Sequence, residues 1–365
     1  MVVTSRPRPA AWTILMYQAG DNDLKDDLQN NLEECEKIGS SPDVNIVSQF
    51  DRGGTQGCDR LYVKKNGVDT LQKMGDVDMA DPQQLSDFIQ WGIKNYPARH
   101  VMLVISDHGD AWRGAINDDG SGKSMSLPQI EKALSTARQA TGKKLDVLGF
   151  DACLMANAEV ADQLKNEAAF MVASEETEGE SGWPYNRILS PDLLQSFQKA
   201  AHSRRDMSPQ SFAHRIVGDA RGDQEDLPTL SAFDMSQVPA LTSALRKLTT
   251  AEKSMAPAAA RAAAQASQKF DDTNDLYDFA DHLATANPKL KRAADAVKQA
   301  VSNVVLDEQH SADYPGAHGI SIDLSPRRPS KAYQALELPS QTGWGDMLAS
   351  WQGAARSHHS AVKQA

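Results

Sequence analysis

The chain has 365 residues, a formal net charge of -11, 40% hydrophobic and 24% charged residues. This is the composition of an ordinary globular protein, long enough for one large α/β domain or for a core with an appended subdomain. The acidic balance excludes a general nucleic-acid binder, which would carry a basic stripe, and no run of about 18 apolar residues exists to span a membrane.

Residues 12–17 form a short apolar run and predict a buried strand. The run is too short for a signal-peptide core, so a cytoplasmic protein is expected, with residues 1–11 flexible. Asp21, Asn22 and Asp23 follow in a turn and read as helix caps. Leu24, Leu28, Leu32, Cys35 and Ile38 then recur at helical spacing, which puts Cys35 on an apolar helix face as core filler. A second strand is predicted over 44–50, a hairpin around Asn66-Gly67, and a helix over 82–96. The three cysteines, Cys35, Cys58 and Cys153, are odd in number and widely spaced, which argues against both a disulfide framework and a zinc site.

Two continuous apolar runs come next, over 101–106 and 145–150, each the pattern of a strand buried on both faces. The first stops at Asp107-His108-Gly109. The second stops at Asp151-Ala152-Cys153 and leads into a predicted helix over 154–164. With a third strand over 170–174, the alternation implies parallel strands joined by right-handed crossovers. Beyond Pro191 the pattern is more helical (257–268 and 289–305), with strands expected at 229–234 and 319–324.

Active sites of open α/β sheets gather at the carboxyl ends of strands. His108 and Cys153 both lie just past such ends, so neighbouring strands would bring a thiol and a base together. A helix starting at Cys153 would favour the thiolate through its dipole and free N–H groups. The N–H groups of Gly109 and Cys153 are candidates to hold an oxyanion, with glycine giving the backbone freedom to aim. Taken singly, such a cysteine is more often structural and such a histidine more often surface. Their paired placement brings the catalytic reading level with the bland one.

Asp107-His108-Gly109 after an apolar strand, with Phe150-Asp151-Ala152-Cys153-Leu154-Met155 downstream, resembles the clostripain-like cysteine peptidases. These belong with the caspases, legumains, gingipains and separases. The likeness continues through 173–177, 182–185, 230–235, 318–322 and 344–351, and so spans about residues 12–351. It implies an α/β fold: a caspase-like α/β/α sandwich with a mostly parallel central sheet and a C-terminal, mainly helical extension. The expected divisions are a flexible N-terminus (1–11), a catalytic domain (12–236), an extension with a returning strand near 319–324 (237–356), and a loose tail (357–365).

The resemblance also implies a bacterial endopeptidase that cleaves after Arg or Lys through an acyl-enzyme. Cys153 would be its nucleophile and His108 its base, in a dyad without an obligatory third carboxylate. Asp151 matches the acid near the family's specificity pocket, and Glu176, Glu178 or Glu180 would supply a second acid, with a solvated loop charge as the competing reading for each glutamate. Some relatives are cut between the two blocks, and Lys123-Ser124, in a Gly/Ser-rich loop, is the expected self-processing point. The partner expected is a protein or peptide with basic residues, not nucleic acid or membrane, bound by a monomer. No metal or other cofactor is required for the chemistry, although relatives with calcium leave room for a weak calcium site. The alternatives are a caspase-fold scaffold with an inert dyad, and a thiol-dependent esterase or transpeptidase.

Three patterns are set aside. Residues 120–124 (Gly-Ser-Gly-Lys-Ser) imitate half a P-loop, but position 117 is Asn and no strand is expected before it. Residues 117–120 imitate a calcium loop that lacks both end ligands. His318-Gly319 precedes its strand and reads as structural.

Overall fold

The computed structural model describes residues 9–190, 208–222, 225–253, 257–325 and 329–351. The expected loose tail and most of the flexible N-terminus lie outside these residues. The first half alternates as the apolar runs dictate: β1 (Ala10–Ala19), α1 (Lys25–Ile38), β2 (Val44–Asp51), β3 (Cys58–Lys64), β4 (Gly67–Gly75), α2 (Pro82–Asn95) and β5 (Ala98–Ser106). A small hairpin follows, β6 (Gly114–Asp118) and β7 (Lys123–Ser126), then α3 (Leu127–Thr141), β8 (Leu145–Asp151), α4 (Ala158–Leu164) and β9 (Ala168–Ala173). The short α5 (Tyr185–Ile188), α6 (Pro209–Ala220), β10 (Thr229–Asp234) and α7 (Val238–Glu252) come next.

Nine strands form one sheet, ordered β13-β10-β9-β8-β5-β1-β2-β3-β4, where β13 is Val305–His310. The central five, β9, β8, β5, β1 and β2, are parallel. The hairpin β3–β4 closes one edge antiparallel, and β10 with β13 closes the other. Side chains alternate between faces along each strand. Trp12, Ile14 and Met16 pack against Leu28 and Leu32 of α1 and Phe212 and Ile216 of α6. Leu15 and Tyr17 pack against Phe88 of α2 and Ile130 of α3. Both faces are covered, which is why the central strands read as unbroken apolar runs.

The C-terminal part is built into the same core. Leu245 of α7, Val301 and Trp344 share a cluster with Leu148 and Phe150 of β8. The returning strand, Ser321–Asp323, joins a separate three-stranded sheet and bridges to Asn157.

The chain moves from β1 to β2 on one side and later from β1's other side to β5, with α1 and α2 on opposite faces. The carboxyl ends of β1, β5 and β8 therefore surround the point where strand order reverses, where open sheets open a crevice.

Three local expectations are corrected. The helix after Cys153 does not start there but at Ala158, capped by the Asn157 side chain on the Glu159 and Val160 N–H groups. Leu154 instead adopts a left-handed φ of 66°. Its N–H donates to the Glu176 carbonyl, and the Ala156 N–H donates to the Ser174 carbonyl, so the segment is stitched to the end of β9 rather than wound. Helix α1 starts at Lys25 with no side-chain cap from Asp21–Asp23. Finally, the loop between the His and Cys blocks contains the β6–β7 hairpin. A strand does lead into residues 120–124, but it turns back antiparallel and gives no phosphate-binding strand-to-helix turn.

Candidate active site

Strands β5 and β8 are direct neighbours, with Ser106 paired to Asp151. His108 and Cys153 therefore both sit two residues beyond one paired position, side by side at the carboxyl edge. Ser106 also pairs with Gln18 of β1, which brings the β1–α1 turn alongside. These segments and the loop after β9 enclose a cavity of about 210 Å³ into which Asp23, His108, Asp151, Cys153, Glu178 and Glu180 all open. A larger hollow of about 680 Å³ adjoins it, sharing Asp27, Asn31 and Gly182.

The His loop is held by a buried carboxylate. Asp107 accepts hydrogen bonds from the His108 N–H (2.6 Å), the Asn117 N–H (2.5 Å) and Asn22 Nδ2 (2.8 Å). Burial pushes Asp107 up to about 7 against the pull of these donors. The imidazole, about a third exposed, donates from Nε2 to Asp23 Oδ1 at 2.8 Å. In the sequence Asp23 reads as a helix cap. Its place one turn past the carboxyl end of β1 was the available signal.

Cys153 is partly buried, and its Sγ accepts from the Glu178 N–H at 3.3 Å. No hydrogen bond joins Sγ to the imidazole among the described residues; the two meet through the cavity. Burial pushes the thiol above its ordinary range, while the Glu178 N–H pulls it down and the Glu178 carboxyl pushes it further up. The helix dipole expected at Cys153 is not there to offset this. Gly109 is required for a reason other than the one expected. Its φ is not left-handed, but any Cβ would overlap the Cys153 carbonyl oxygen and lie 3.1 Å from the Cys153 nitrogen. The two backbones pack closely at this point.

The four expected acids separate. Asp151 is buried, accepting from the Trp183 N–H (3.0 Å) and the Tyr185 hydroxyl (2.7 Å). Burial raises it to about 6 despite these donors. Glu178 lies beside it with both carboxyl oxygens shielded from solvent. Burial, then the Asp151 charge, pushes Glu178 well above the usual carboxyl range. Each carboxyl thus opposes ionisation of the other. Glu180 is exposed at the cavity wall. Glu176 departs from the expectation: it does not line the cavity, and its Oε1 accepts from the Thr177 N–H (2.7 Å) and hydroxyl (3.0 Å).

Lys123 opens β7 and is exposed, paired with Asp78 at 2.5 Å, with Ser124 next to it in the strand. His318 is remote in role, bonded to Asp275 and stacked on Tyr277 at 4.3 Å between ring centroids. Cys35 and Cys58 are buried in the core. Among the described residues, no group of three or more His, Cys, Asp or Glu side chains converges to hold a metal ion, and no helix is long and apolar enough to cross a membrane.

The mostly parallel sheet, with a cysteine and a histidine at adjacent carboxyl strand ends, has the fold of the C11 cysteine proteases. The chain belongs to the clostripain family, whose sequence model matches residues 16–351. Clostripain from Hathewaya histolytica is 29% identical over 222 residues, covering 48% of this chain and 41% of that protein. The chain thus matches less than half the length of that curated relative. A secreted C11 cysteine protease from Bacteroides thetaiotaomicron, solved with an irreversible peptide inhibitor, superposes with a TM-score of 0.71 at 21% identity, covering 92% of this chain and 99% of that one. An inactive zymogen C11 protease from Parabacteroides distasonis gives 0.70 at 20% identity, covering 93% and 99%. These two establish the fold.

Proposed function

We propose that this cysteine peptidase is an endopeptidase that cleaves after Arg or Lys, with Cys153 and His108 as its dyad. The observation that carries the reading is the buried Asp151–Glu178 pair in the cavity into which Cys153 and His108 open. A substrate guanidinium or ammonium entering there relieves the crowding of two carboxyls and gains a charge-assisted hydrogen bond. Glu180 adds negative charge at the rim.

In the reaction, His108 takes the Cys153 proton and Sγ attacks the scissile carbonyl carbon, forming a C–S bond. The resulting oxyanion is held by the Gly109 and Cys153 N–H groups, which belong to two closely packed backbones. His108 returns the proton to the leaving amine as the C–N bond breaks. Water, deprotonated by His108, then attacks the thioester; the C–S bond breaks and Sγ recovers its proton. Thiol, imidazole and the attacking water supply every proton and electron pair, so no cofactor is required, calcium included. Chelator treatment checks that point.

Self-processing after Lys123 stays part of the proposal, supported by the exposure of its side chain; a mass spectrum of active enzyme showing one uncut chain refutes it. The cytoplasmic location and the monomeric state are likewise proposals, tested by cell fractionation and by sedimentation.

The main test is a panel of fluorogenic peptides ending in Arg, Lys, Asp or Ala, with Cys153→Ala and His108→Ala as controls. Turnover of Arg or Lys peptides, lost in both variants, is expected. Preference for Asp or Ala peptides overturns the pocket assignment. Silence from folded protein, with no labelling of Cys153 by a chloromethyl ketone, favours the scaffold alternative. Resolution of the acyl-enzyme by an added amine rather than water favours a transpeptidase.

A further inference from the structure

The turn between β1 and α1 reaches the β6–β7 turn and the His loop through three consecutive residues. The Asp21 carbonyl accepts from the Asp119 N–H at 2.9 Å, and its Oδ2 accepts from the Gly120 N–H at 3.2 Å. Asn22 Nδ2 donates to Asp107 Oδ1 at 2.8 Å and to the Asn117 carbonyl at 3.3 Å, while its Oδ1 accepts from the Leu24 N–H. Asp23 Oδ1 accepts from His108 Nε2 at 2.8 Å. None of the three caps α1. The turn is a brace for the His loop, and Asp23 is the member that touches the ring.

We infer that Asp23 is a positioning residue for His108, fixing the imidazole so that Nδ1 is the nitrogen left to exchange a proton with Cys153. A neutral imidazole carries one N–H, and the hydrogen bond made by one nitrogen sets the role of the other. A carboxylate only accepts, so a bond at Nε2 places the proton there and leaves the Nδ1 lone pair for the thiol. The inference rests on the proposed peptidase function and turns its dyad into a dyad with a carboxylate brace. The Asp23 carboxyl is held below its usual range by the bond from His108. Its side chain is 83% exposed. The brace is therefore screened by water, and its effect is bounded by that of an exposed pair. The neighbouring bonds of Asp21 and Asn22 fix the backbone that carries it.

The test uses the full chain with Asp23→Ala and Asp23→Asn, a fluorogenic Arg or Lys peptide, and thermal melting. Asp23→Ala is expected to lower kcat about fivefold, the ceiling for an exposed pair, with KM and Tm unchanged. Asp23→Asn keeps an acceptor in reach and is expected to recover most of the loss. A second readout is the imidazole tautomer from long-range ¹H–¹⁵N spectra, assigned with His108→Ala. The Nε2–H form is expected for His108 in the wild-type chain, with a mixture of tautomers in Asp23→Ala. Wild-type kcat in Asp23→Ala, a raised KM with kcat unchanged, or an Nδ1–H tautomer in the wild-type chain overturns the inference. A wild-type chain with no Cys153-dependent turnover refutes the peptidase reading instead, and the tautomer spectrum then decides Asp23 on its own.

Discussion

Replacing Asp151 by Asn tests the specificity pocket with little change of shape. The carboxylate is buried and held by the Trp183 N–H and Tyr185 hydroxyl, so it has no freedom to be replaced by a neighbouring surface charge. A cation about 4 Å away at an effective dielectric of about 20 gains roughly 4 kcal/mol from one such charge. Glu178 lies close enough to ionise in its place once a cation is bound, which returns part of the loss. The expected fall in kcat/KM for Arg and Lys peptides is therefore about 100-fold, or roughly 2.7 kcal/mol at 1.36 kcal/mol per tenfold. The assay compares an Arg peptide with its citrulline analogue, which is neutral and nearly the same shape. Citrulline turnover should be unaffected, and the double variant with Glu178→Gln should erase the preference for Arg. A fall of less than about threefold for Arg, or an equal fall for citrulline, refutes the assignment of charge to Asp151.

Asp151 is raised to about 6, and only its ionised form attracts a cation, so KM for Arg peptides should fall as pH rises through about 6 while KM for citrulline peptides stays flat. Stability runs the other way. Asp107 and Glu159 are raised to about 7, and Asp51 to about 6, each chiefly by burial. A raised carboxyl stabilises the fold fully below its unfolded value near 4, and that stability is lost as pH climbs through the folded value. Melting scans should therefore give a higher Tm at pH 5 than at pH 8; the reverse order refutes the summed effect. Gly109→Ala should abolish turnover with the chain still folded, because its Cβ overlaps the Cys153 carbonyl oxygen; near-normal kcat would show that the two backbones part easily. Trp344→Ala should cost about 3–5 kcal/mol in denaturant unfolding, since the ring is fully buried against Phe279 and its Nε1 donates to the Asp323 carbonyl. A loss below 1 kcal/mol would mean that the C-terminal segment is docked on the core rather than part of it.

The central strands and the pairing of chemistry are legible in the sequence, whereas the edge strand at 305–310 is not. Apolar runs of strand length, buried on both faces, reveal β1, β5, β8 and β9 because each must satisfy two hydrophobic layers at once. Their abrupt ends mark where His108 and Cys153 leave the sheet, and those two residues needed only adjacency of β5 and β8 to meet. What periodicity missed is non-local. Residues 154–157 have good helix-forming composition, yet hydrogen bonds to the end of β9 and the left-handed Leu154 override it. Glu176, Glu178 and Glu180 alternate identically in sequence, and only the path of the loop decides that the Glu178 carboxyl is shielded beside Asp151 while the buried Glu176 bonds to Thr177. Asp23 is 85 residues from His108, and a turn that looks like a helix cap becomes a brace because β1 and β5 are neighbours. Local propensity reports the energy of a segment alone; long-range hydrogen bonds and burial of charge, which set this site, exist only once the strands are side by side.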